Sequence, residues 1–136
     1  MAVVKELIRK EESGALSFGD YTLKEKKKLE DFECGGNLYK VKTFNEITRL
    51  ERDGMFVYES VPGTAVNDFL ATADGVEFTV SSDKDAQITV GLSEDTEYEV
   101  TVGGKNAGKM RTNLSGKLSM SIELEGEGEI KVKVSR

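Results

Sequence analysis

The sequence predicts an all-β protein, a two-layer antiparallel sandwich with hairpin connections and little helix. Three observations carry that expectation. Leu118, Met120, Ile122 and Leu124 alternate with Lys117, Ser119, Ser121 and Glu123, the two-residue period of a strand with one dry face and one wet face. Tyr98, Val100 and Val102 repeat the pattern upstream, and Ile130, Val132 and Val134 repeat it downstream. The joints between these runs are Gly103-Gly104, Asn113 to Gly116 and Glu125 to Gly128, rich in residues that tolerate the positive φ of tight turns. One proline and 14 glycines spread over 136 residues suit many short strands better than long helices. On this pattern Glu97 to Val134 reads as an antiparallel meander.

Earlier in the chain, Val3 to Ile8 mixes apolar and charged residues and fits a strand or a short helix. Glu12-Ser13-Gly14 is a turn, and Ala15 to Phe18 a strand. SGALSF at Ser13 echoes SGKLSM at Ser115, as good hairpin chemistry does even without duplication. Tyr21 to Cys34 is the least patterned stretch: KEKKKLEDFE has helix-forming composition, with Leu29 and Phe32 its only large apolar residues. Gly35-Gly36-Asn37 ends it. Leu38 to Phe44 is a strand with Tyr39, Val41 and Thr43 on one side and Lys40 and Lys42 on the other. Asp53-Gly54 between Glu46–Glu51 and Met55–Ser60 is a strong hairpin signal. Pro62-Gly63 suits the centre of a type II turn. Ala65 to Asp74 has only Val66, Phe69 and Leu70 as bulky apolar residues and reads as a crossover. Two further strands, VEFTV and QITVGL, follow and are joined by SSDKDA. The expected division is therefore 1–64 as an N-terminal β layer or subdomain, 65–74 as crossover and 75–136 as the C-terminal meander.

Composition narrows the chemistry. Histidine and tryptophan are absent, so no Ser-His-Asp triad, Cys-His dyad or imidazole metal ligand is available. Stability is accordingly expected to be nearly flat between pH 5 and 8. A net charge of −6 opposes a general nucleic-acid surface. No apolar run has the length of a signal core or a membrane span, and one cysteine cannot form an internal disulfide, which together favour a reducing, cytoplasmic setting.

Four constellations stand out. Lys24, Lys26, Lys27 and Lys28 form a basic patch, either a contact surface for an anionic partner or a solvated face balanced by Glu25, Glu30 and Asp31. Asp83 and Asp85 with Glu94 and Asp95 are a candidate Ca²⁺ set if their two loops meet, although the twelve-residue EF-hand pattern is missing. Cys34 reads as a small apolar residue rather than a reactive thiol, since no base or partner thiol is evident. Tyr39 and Tyr58 would make a carbohydrate platform if both faced outward on adjacent strands. The 25 carboxylates suggest no glycosidase pair by spacing.

Two resemblances add to this. The run from Leu92 to Leu124, LSEDTEYEVTVGGKNAGKMRTNLSGKLSMSIEL, resembles the closing strands of immunoglobulin-like and fibronectin type III-like sandwiches, modules that accompany carbohydrate-active and surface proteins. LYKVKTF at Leu38, EITRLE at Glu46 and GMFVYESVPGTAV at Gly54 resemble a group of short, functionally uncharacterised proteins of anaerobic Gram-positive bacteria sometimes labelled endosialin. The second likeness implies no activity and no site residues.

The expected function is a non-catalytic module acting through protein–protein contacts, self-association included, with no cofactor, no catalytic residues, no metal, no nucleic acid and no membrane contact. A carbohydrate-binding accessory module, and an enzyme using only carboxylate, lysine or tyrosine groups, are the alternatives.

Overall fold

A computed structural model describes residues 3–136, and in it the all-β expectation holds: two antiparallel sheets form a two-layer sandwich, with no helix among the described residues. The strands are β1 (Ile8–Lys10), β2 (Leu16–Phe18), β3 (Lys27–Cys34), β4 (Asn37–Phe44), β5 (Ile47–Arg52), β6 (Met55–Val61), β7 (Ala65–Thr72), β8 (Gly75–Ser81), β9 (Ala86–Gly91), β10 (Glu97–Val102), β11 (Lys105–Arg111), β12 (Lys117–Ile122) and β13 (Glu129–Ser135). A seven-stranded sheet runs β1-β2-β7-β8-β13-β10-β11, and a six-stranded sheet runs β12-β9-β6-β5-β4-β3.

The alternation in the sequence marks the buried faces correctly. Leu118, Met120 and Ile122 are buried while Ser119 and Ser121 are exposed, and Tyr98, Val100, Val132 and Val134 point into the same core. Asp53-Gly54 closes the β5–β6 hairpin with both residues at positive φ (50° and 80°), as its sequence predicts.

Three expectations are corrected. Glu97 to Val134 is not a meander. β10 and β11 form a hairpin, but the Asn113–Gly116 corner sends β12 to the other sheet, where it pairs with β9. The Glu125–Gly128 corner then returns β13 to lie between β8 and β10. A strand pattern says which face is dry, not which neighbour is paired, and a short loop can bridge two sheets about 10 Å apart as well as two adjacent strands. The division into an N-terminal and a C-terminal layer fails for the same reason, because β9 and β12 complete the sheet built by β3 to β6.

Ala65 to Asp74 is not a connector either. Residues 65–72 are β7, a central strand between β2 and β8, and the passage between sheets is made by the three residues Pro62 to Thr64. That passage is closely fitted. A Cβ on Gly63 would lie 2.0 Å from the Phe44 carbonyl oxygen, so only glycine fits there. A buried hydroxyl network ties it to both layers. Thr64 Oγ1 bonds Tyr58 Oη and Ser60 Oγ, each at 2.8 Å. The Thr48 hydroxyl donates to the Thr64 carbonyl at 2.8 Å, and Ser82 Oγ donates to the Gly63 carbonyl at 3.1 Å. Satisfying these groups is what makes so polar a segment compatible with burial.

The Tyr21–Cys34 stretch, despite its helical composition, supplies the edge strand β3.

Candidate functional site

The structure separates the residues that the sequence offered as a carbohydrate platform from solvent. Tyr58 is fully buried. Its ring packs edge-to-face on Phe18, Phe69 and Phe78 at centroid distances of 5.3, 6.2 and 5.7 Å. Tyr39 is half-buried on the inward side of β4, opposite Phe32 and Arg52. Both tyrosines face the core, so the platform does not exist. The reason is the parity of β4 and β6, which places Tyr39, Val41 and Tyr58 on one side with Leu50.

The calcium set is likewise dispersed. Asp83 and Asp85 precede β9 while Glu94 and Asp95 follow it, so the six residues of β9, about 20 Å of strand, lie between the loops. Asp85 instead accepts the Leu124 and Glu125 amides at 2.9 and 3.0 Å, and Asp95 pairs with Arg111 at 3.2 Å. Among the described residues no group of three or more His, Cys, Asp or Glu is placed to hold a metal ion. Cys34 is buried at the end of β3 and packs with the core.

The four lysines are all exposed. Lys24 and Lys26 precede β3, and Lys27 and Lys28 begin it. The sheet aligns Lys28 with Lys42 and Arg49 in adjacent strands on its outer face. Arg49 is held there by Glu51 at 3.0 Å and Glu59 at 2.8 Å, and Lys40 by Glu30 at 3.5 Å. Carboxylates thus neutralise much of this cluster.

A different constellation emerges at one end of the sandwich, where the β5–β6 and β7–β8 hairpins face the loops around β9, β10 and β12. They enclose an open cleft of about 460 Å³ between the two sheets. It is backed by the buried side chains of Val57, Phe69, Val76 and Tyr98 and the half-buried Leu92, and it presents polar and apolar surface in similar amounts. Met55 stands at its mouth, 71% exposed. A bulge in β6 shapes this surface: Leu50 faces Tyr58 and Glu51 faces Phe56, so Val57 is the extra residue. The bulge turns Val57 into the cleft and leaves Phe56 between two cations, with Lys117 Nζ 4.7 Å and Arg49 Cζ 5.2 Å from the ring centroid.

The polar groups at the cleft are of one sign. Arg52 and Lys117 line it, and neither forms an ion pair among the described residues. No carboxylate is found among the described residues that line it. One wall is fixed by hydrogen bonds: the Ser93 amide donates to Tyr98 Oη at 3.1 Å, and Thr112 Oγ1 donates to the Ser93 carbonyl at 2.6 Å. On the neighbouring corner Asn113 Oδ1 accepts the Ser115 and Lys117 amides at 3.0 and 2.9 Å. Sequence reasoning missed this site because its residues come from the ends of seven strands, and no local motif joins them.

Burial raises the Tyr58 phenol, and burial together with the charges of Asp83 and Asp20 raises Tyr21. The Ser17 hydroxyl bond, aided by Arg9, lowers Glu11 against the opposing effect of burial. The lowered carboxyl stabilises the fold above its ordinary value of 4.5, a contribution lost as pH falls through the folded value. The raised phenols favour the fold below their ordinary value of 10.0, and that contribution is lost as pH climbs past it. The denaturation midpoint is therefore expected to stay level from pH 5 to 8 and to decline on both sides. A step near pH 6.5 in a urea-midpoint series would contradict this.

Among the described residues no helix is long and apolar enough to cross a membrane. Compared with known proteins, the chain gives no significant match to any family model, curated protein or solved structure.

Proposed function

We propose that this chain is a non-catalytic β-sandwich module that acts through protein–protein contacts in the cytoplasm, and that its contact site is the cleft between the sheet ends. The occupant is an extended segment of a partner protein that carries a carboxylate beside apolar side chains. One observation carries the reading. A protein of net charge −6 presents Arg52 and Lys117, which form no ion pair among the described residues, beside apolar side chains in one cleft with no carboxylate among its described lining residues. Apolar surface supplies burial, and convergent charges of one sign select and orient the ligand. The volume accommodates two or three side chains of such a segment.

The carbohydrate reading relied on Tyr39 and Tyr58 and loses its platform with them. Of the groups that the enzyme reading could use, carboxylate, lysine or tyrosine, the described lining of the cleft holds Lys117 and Tyr98 and no carboxylate.

The test is a fluorescence-anisotropy screen of short peptides with apolar residues next to a terminal or side-chain carboxylate. Arg52→Glu is expected to weaken binding at least tenfold, and amidating the peptide carboxylate should do the same. Far-UV circular dichroism should not change, because Arg52 is only half-buried at a hairpin end. Equal binding by wild type and Arg52→Glu would exclude the cleft as the contact site.

A further inference from the structure

The two sheets have four edges, and three are blunted by devices that prevent strand pairing. β1 is three residues long. β3 is bulged, with Asp31 at φ 59°, and begins with Lys27 and Lys28. β11 is bulged against β10, has Gly108 at φ 97°, and carries Lys105, Lys109 and Arg111. Short length, bulges and charge are the usual protections of an edge. β12 has none of them along its centre. Its six residues pair with β9 without a bulge, none has positive φ or is proline, and no described strand lies beyond it.

The orientation of its backbone follows from one hydrogen bond. The Leu92 amide donates to the Gly116 carbonyl at 2.7 Å, so Gly116 is turned toward the β9 side. By the two-residue period, Leu118, Met120 and Ile122 also bond toward β9, and the amides and carbonyls of Ser119 and Ser121 point outward. Lys117 fits this phase, because its outward amide and carbonyl are both engaged by Asn113. The open edge thus offers two amides and two carbonyls, on residues whose side chains are small and already bonded within the sheet: Ser119 to Thr89 at 2.8 Å and Ser121 to Gln87 at 2.6 Å.

We infer that β12 is a pairing edge and that its partner is β12 of a second copy of this chain, antiparallel about a two-fold axis through Met120. In that register Ser119 of one copy faces Ser121 of the other. Both such pairs are of the hydrogen-bonded kind, which gives four main-chain bonds and uses every outward group of the two serines. Leu118 faces Ile122 across the axis on the dry side. On the wet side Lys117 faces Glu123, twice by symmetry, so opposite charges meet at both ends of the ladder. Moving the centre to Ser119 sets Lys117 opposite Ser121 and loses this charge match, and moving it to Ser121 sets Lys117 opposite Glu125, beyond the end of the strand at Ile122. The six-stranded sheets of two copies become one continuous sheet. The inference shares Lys117 with the rim of the cleft but rests on the open edge of β12, and it does not depend on the cleft's having a ligand.

Analytical ultracentrifugation with Ser121→Pro provides the test. The Ser121 amide makes no bond to β9, so proline there leaves the monomer's ladder intact while removing a donor and obstructing the edge. The wild-type protein is expected to sediment at twice its 14.9 kDa chain mass at high micromolar concentration, and Ser121→Pro as a monomer with an unchanged circular dichroism spectrum. Should Ser121→Pro fail to fold, Glu123→Lys serves instead, since it sets two lysines opposite each other. It should weaken the dimer at least tenfold, and adding Lys117→Glu should restore it. A wild-type protein that stays monomeric would overturn the inference. So would a dimer indifferent to Ser121→Pro, or to Glu123→Lys where that variant is the one used.

Discussion

Replacing Leu118 with aspartate is expected to abolish cooperative unfolding. Leu118 is 2% exposed, lies opposite Val90 in the six-stranded sheet and belongs to the core shared by both layers. A carboxylate there has no partner. Removing such a charge from water costs several kcal/mol even after relaxation, and the transfer energy of a buried leucine, roughly 1.5–3 kcal/mol, is lost with it. That sum consumes most or all of the ~5–15 kcal/mol by which a domain is ordinarily stable. The expected urea profile is a shallow drift with no sigmoidal transition. The neighbouring Ser119→Asp, on the wet side of the same strand, should unfold cooperatively. A soluble Leu118→Asp protein with a sharp transition would mean that the buried face of β12 is misassigned.

The second large effect concerns Tyr58, which anchors the aromatic centre of the core and the hydroxyl network at the passage between sheets. Tyr58→Ala should cost about 3–5 kcal/mol, the usual range for truncating a large buried aromatic. It empties the space among Phe18, Phe69 and Phe78 and removes one partner of Thr64 Oγ1. Tyr58→Phe keeps the packing and loses one hydrogen bond, about 1 kcal/mol, because Ser60 still satisfies Thr64. The two variants therefore separate packing from hydrogen bonding at one position, and urea denaturation with a common m-value would measure both. Equal losses in the two would contradict the packing account.

What the sequence revealed, and what it concealed, follow from the spacing of apolar residues. β12 and β13 alternate strictly, and their dry faces are legible residue by residue. β3 and β7 do not alternate, and the sequence suggests helical composition for the first and a crossover for the second. Both contain a bulge with an aspartate in the left-handed region, Asp31 at φ 59° and Asp68 at φ 56°. In β3, Leu29 and Phe32, three apart, face Val41 and Tyr39, two apart. In β7, Val66 and Phe69, three apart, face Phe18 and Leu16, two apart. An extra residue turns a period of two into a spacing of three, which in isolation resembles a helical step. Aspartate tolerates that conformation better than most non-glycine residues. The order of strands was hidden for another reason: pairing partners are chosen by contacts distant in sequence, and corners such as Asn113–Gly116 have the same composition as hairpin turns. The cleft was beyond reach until those partners were known, since Arg52 and Lys117 are neighbours only through the pairing of β5, β6, β9 and β12.

The cleft is the part of the structure on which the functional account depends, and a nitrogen-15 NMR titration with an apolar, carboxylate-bearing peptide interrogates it directly. Saturable amide shifts are expected at Met55, Gly75, Leu92 and Ser93, from three separate segments around the two cations, and they should vanish in Arg52→Glu. Shifts centred instead on Lys42, Arg49 and Thr89 of the outer sheet face, or none at millimolar peptide for any member of the panel, would contradict it.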